Sequence, residues 1–65
     1  MTSRVIYVRG GSMHTARAQE ALSRLSGVVA AEFVPGRNAV KVYCGDEMSW
    51  ETLTGCLADR GIQTE

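Results

Sequence analysis

Sixty-five residues, 45% of them hydrophobic and with seven basic side chains balancing seven acidic ones, read as a single domain over 1–65 and exclude a multidomain enzyme. A chain of this size buries only about 60% of its extended surface, so one thin core carries the stability and large clefts are excluded. The formal charge of zero argues against duplex DNA or an anionic membrane as a bulk partner, and the longest apolar run, Val28 to Ala31, is far too short to span a bilayer.

The β-branched and aromatic run Arg4 to Arg9 predicts a first strand, stopped by Gly10-Gly11. Ala18, Ala21, Leu22 and Leu25 then recur at i, i+3, i+4 and i+7, the apolar stripe of a helix predicted over His14 to Ser26 and closed by Gly27. Val28 to Val34 and Ala39 to Cys44 follow as strands of a hairpin, with Pro35-Gly36 suited to a type II turn. In the second of them Val40, Val42 and Cys44 share one face, Lys41 and Tyr43 the other. Ser49 is placed to cap a second helix with Glu51 in its first turn and Trp50, Leu53 and Leu57 as its inward stripe. Arg60-Gly61 ends that helix, and Ile62 to Glu65 is predicted as a last, edge strand.

This order gives the α+β, ferredoxin-like βαββαβ arrangement: two helices on one face of a four-stranded antiparallel sheet. Val5, Tyr7 and Arg9 then share the open face with Lys41 and Tyr43.

Ala21-Leu22 and Leu25-Ser26-Gly27-Val28, the strand Ala31 to Val34, the alternation in Val40 to Cys44, and Leu53, Leu57 and Gly61 at their mutual spacing resemble the heavy-metal-associated domain over essentially the whole chain. That family comprises small copper chaperones, mercury-binding proteins and the N-terminal extensions of metal-pumping ATPases. The resemblance implies a role in metal homeostasis, copper first, by metal handover or docking to a transport ATPase. It implies as partner such an ATPase, or a membrane region of the chain's own protein. Family members grip a soft cation with two thiolates of a G-M-x-C-x-x-C loop between the first strand and first helix. Here that loop reads Val8-Arg9-Gly10-Gly11-Ser12-Met13-His14-Thr15-Ala16, without either cysteine and shorter than the family pattern. Counting back from Gly27-Val28 puts Gly11 and His14 at the cysteine positions; counting forward from Gly10 puts Met13 and Ala16 there. Helical phase favours the first count, since His14 lies four residues before Ala18.

Met13 and His14 are therefore the candidate metal ligands, a thioether and an imidazole that both accept Cu(I) or another soft or borderline ion. Two neutral ligands give a weak site, and the bland alternative is no metal, with His14 capping the helix and Met13 filling the loop. Cys44 and Cys56 are expected as small core residues. They are also too few to staple a secreted fold, which, with no basic-then-apolar leader opening the chain, points to the reducing cytoplasm. Gly10-Gly11-Ser12 is a weak anion-binding pattern without the P-loop lysine. Tyr7 and Tyr43 on an open sheet echo base-stacking modules, but the neutral charge and the absence of their motif speak against nucleic acid. No nucleophile–base or paired-carboxylate arrangement points to catalysis. The expectation is a binding domain, not an enzyme, with weak or unconventional metal binding; the competing expectation is a metal-free protein-interaction or regulatory module on the same fold.

Overall fold

The computed structural model describes all residues, 1–65. The β-branched N-terminal run forms β1 (Thr2–Tyr7), followed by α1 (Gly11–Ser23), β2 (Val28–Phe33), β3 (Ala39–Cys44) and α2 (Trp50–Ala58). The strands make an antiparallel sheet in the order β1-β3-β2, with Val5 opposite Lys41 in one ladder and Glu32 opposite Lys41 in the other. Val29 is the extra residue of a register shift at the start of β2.

Strand alternation sends Ile6, Val40, Val42 and Cys44 to the helical side, where Ala18, Ala21 and Leu22 of α1 and Leu53 and Leu57 of α2 meet them; Val8, Ala31 and Ile62 complete the core. Each fully buried leucine in this layer contributes about 2 kcal/mol of transfer free energy. On the other face Val5 and Tyr7 are exposed, Lys41 and Tyr43 half-buried, and the Lys41 ammonium lies 5.3 Å from the Tyr43 ring centroid.

Two helices and an antiparallel sheet agree with the expected class, but the sheet has three strands, not four. The tail expected as the fourth makes one bridge, Thr64 with Val8, held by Arg9 N–H to Gln63 O (2.9 Å) and Glu65 N–H to Tyr7 O (3.0 Å). Its first residue is still engaged with the helix: Ile62 N–H donates to Leu57 O at 2.9 Å and Gly61 N–H to Ala58 O at 3.0 Å. This is the Schellman closure that Gly61, at φ 73°, permits.

The first strand stops at Tyr7 rather than Arg9, and α1 runs from Gly11 to Ser23 instead of His14 to Ser26. Its start moves back because Gly10 and Gly11, at φ 105° and 83°, turn the chain at once into the helix. Its last expected turn is replaced by three-residue turns, among them Leu25 N–H to Leu22 O (3.1 Å) and Val28 N–H to Leu25 O (3.1 Å). The hairpin follows expectation: Arg37 N–H donates to Val34 O at 3.2 Å with Gly36 at φ 76°, a type II turn. Trp50, expected on the inward stripe, is 40% exposed. A helical side chain leans toward the helix N-terminus, so that of the first residue overhangs the end of α2 rather than the sheet.

Candidate functional site

The loop between β1 and α1 is pinned from two sides: Val8 N–H donates to Asn38 O at 2.8 Å, while Arg9 N–H reaches the tail at Gln63. Gly10 and Gly11 then turn the chain, and α1 starts without any side-chain cap. His14 does not cap the helix. Its ring is packed on the Gly10 backbone, so tightly that a Cβ on Gly10 would lie 2.7 Å from His14 Cγ and 2.9 Å from Nδ1. His14 also lines a shallow depression together with Arg9, Gly10, Gly61 and Gln63. Neither ring nitrogen has a hydrogen-bond partner in the protein.

The inward place at the head of α1 belongs to Thr15, 4% exposed, whose hydroxyl donates to Gly11 O at 2.8 Å. Met13 is 73% exposed. Successive residues on a helix do not face each other, so Met13 and His14 share a turn but point different ways. Meeting on one ion requires the loop to adjust.

Both cysteines are free thiols. Cys44 is fully buried at the end of β3 that pairs with Thr2, whereas the loop leaves the end where Ala39 pairs with Tyr7. Those ends are separated by about 17 Å at the usual rise per residue. Cys56 is half-buried against the core in the groove between the helices, with Arg60 Nη1 4.0 Å from its sulfur. No three His, Cys, Asp or Glu side chains gather as a metal-holding group. No helix is long and apolar enough to cross a membrane.

Sequence reasoning missed that Arg9, Gly61 and Gln63 surround His14. Nothing local in the sequence brings Gln63 to His14; the contact depends on the tail lying along the end of β1.

No family model matches the chain, and no curated protein matches it in sequence. In three dimensions it is similar to a solved structure described as a CopZ metallochaperone, with a TM-score of 0.81 over 98% of this chain and 100% of that one. The identity is 19%, so the likeness is one of fold, and it extends from end to end.

Proposed function

We propose that the chain is a non-enzymatic metal-homeostasis domain, cytoplasmic and folded as one unit. It takes up Cu(I) or a similar soft ion weakly at Met13 and His14 and works with a protein partner, such as a metal-transporting ATPase, that completes the ligand set. The observation that carries this reading is the end-to-end match of the fold to a metallochaperone, with the one His of the chain placed on the first turn of α1. The chemistry supports it: thioether and imidazole are both accepted by Cu(I), and Nε2 of His14 is uncommitted. Two neutral donors make a site that holds its ion loosely, which suits handover rather than storage.

Titrating the reduced protein with Cu(I) against a competing chelator tests it. His14→Ala and Met13→Ala should each weaken binding by about tenfold or more, the scale on which a lost metal contact is felt. Binding by the wild type no tighter than by the double variant sinks the loop site. Loss of binding in Cys44→Ser or Cys56→Ser, with the loop variants unchanged, moves the site to the cysteines. That Met13 and His14 point different ways from the first turn of α1 favours the second reading, a metal-free protein-interaction module. The same titration separates the two readings, because that module binds no Cu(I) at any chelator strength.

A further inference from the structure

We infer that the depression where the second half of α1 meets the end of α2 binds the phosphate monoester of a small molecule, its phosphoryl group held by Arg17, Arg24 and Arg60. No metal site is involved. The depression measures about 260 Å³ and is lined by Arg17, Glu20, Ala21, Arg24, Arg60 and Ile62. Ala21 and Ile62 are buried and form an apolar floor, while the four charged side chains are exposed. Three of the six arginines of a chain without net charge thus gather here against one carboxylate. The ion pairs of the protein are Met1 with Asp46 and Arg24 with Glu20, so Arg17 and Arg60 are unpaired. Glu51 and Asp59 line the adjoining stretch of the groove, and neither pairs with Arg60. Arg24 caps the end of α1 and Arg60 follows α2, places where the negative end of a helix favours a cation by itself. Arg17 stands in the middle of α1, where no such attraction accounts for it.

The arrangement sets the chemistry of the ligand. A guanidinium presents a planar fork of donors that matches phosphate oxygens. Arg24 already shares its charge with Glu20, which leaves two uncompensated positive charges; these match the dianion of a phosphate monoester, whereas a carboxylate answers only one. The Arg24–Glu20 pair, at 3.2 Å, is itself largely exposed and therefore weak, so a phosphate can draw Arg24 away from it. Arg17 and Arg24 are seven residues apart, about 10 Å along one side of α1, and a ligand seated over Ala21 lies between them. The floor of Ala21 and Ile62 accepts an apolar body attached to the phosphate. The volume is below the about 300–1,000 Å³ of sites for drug-sized ligands, which restricts that body to about one ring.

The probe is phenyl phosphate, titrated into the 15N-labelled protein at low ionic strength, above the second phosphate pKa of about 6, and followed by amide shifts. Saturable shifts in the millimolar range are expected at Arg17, Ala21, Arg24, Arg60 and Ile62. Arg17→Gln and Arg60→Gln should each weaken binding by about three- to tenfold. Glu20→Gln should tighten it, because it removes the one carboxylate and frees Arg24. Arg37→Gln, on the hairpin turn, should change nothing. Benzoate, with the same ring and a single charge, should bind more weakly. The substituted side chains are all exposed, so the variants should keep the fold. Absence of saturable shifts, equal losses in Arg37→Gln and Arg17→Gln, no gain in Glu20→Gln, or benzoate binding as tightly as phenyl phosphate overturns the inference. Inorganic phosphate binding as tightly as the ester overturns it too, since the apolar floor then has no ligand.

Discussion

Gly10 and Gly11 both have positive φ, yet a side chain would meet different surroundings at the two positions. At Gly11 a Cβ finds nothing within 4 Å, while at Gly10 it runs into the His14 ring. Gly11→Ala therefore suffers only the left-handed backbone, about 1 kcal/mol, whereas Gly10→Ala adds the displacement of a packed imidazole. In urea denaturation Gly10→Ala should lose at least about 1 kcal/mol more than Gly11→Ala, and adding His14→Ala should return most of the difference. Equal losses at the two glycines would mean that the ring is free to move, and that His14 is not held where a partner could find it. The sequence announced this pair as the end of a strand, but not which residue would turn inward after it. His14 and Thr15 both fit the phase of Ala18 and Leu22. Thr15 takes the buried place because its one hydroxyl is satisfied locally by Gly11 O, whereas a buried imidazole needs partners for two nitrogens.

The elements with local punctuation were legible and those depending on distant chain were not. Ser49 caps α2 as its position suggested, accepting from Thr52 N–H at 3.1 Å and sharing a hydrogen bond with the Thr52 hydroxyl at 2.8 Å. Ser49→Ala should cost about 1 kcal/mol, seen as a melting temperature lower by about 4–8 °C for a domain of this size, and Ser49→Asp should restore it. A melt unchanged by the alanine would show that α2 is held by Leu53 and Leu57 alone. The hairpin turn was equally readable, since Pro and Gly fix its dihedrals by themselves. The fourth strand was not, because a short run such as Ile62 to Glu65 satisfies strand patterning whether or not its first residue is spent closing a helix. The same holds for the neighbours of His14: Arg9 could be read from the loop, Gln63 only from the folded chain.

Across the whole molecule, the two cysteines now divide the protein into a part that opens and a part that does not. Cys44 lies in the middle strand, between Thr2 of β1 and Val28 of β2, with no surface exposed; Cys56 borders the groove between two helices that share only one flank of the core. A thiol reagent such as Ellman's should modify Cys56 quickly in native buffer. Cys44 should wait for global unfolding, its rate rising with urea in step with the unfolded population. Fast modification of both would mean that β3 is exposed by local opening and that the thin core is not one cooperative unit. Repeating the measurement with one equivalent of Cu(I) ties stability back to function. An ion bound at Met13 and His14 leaves the Cys56 rate untouched, whereas an ion captured by the only half-exposed sulfur of the helical groove protects Cys56 and relocates the metal chemistry to the opposite side of α2.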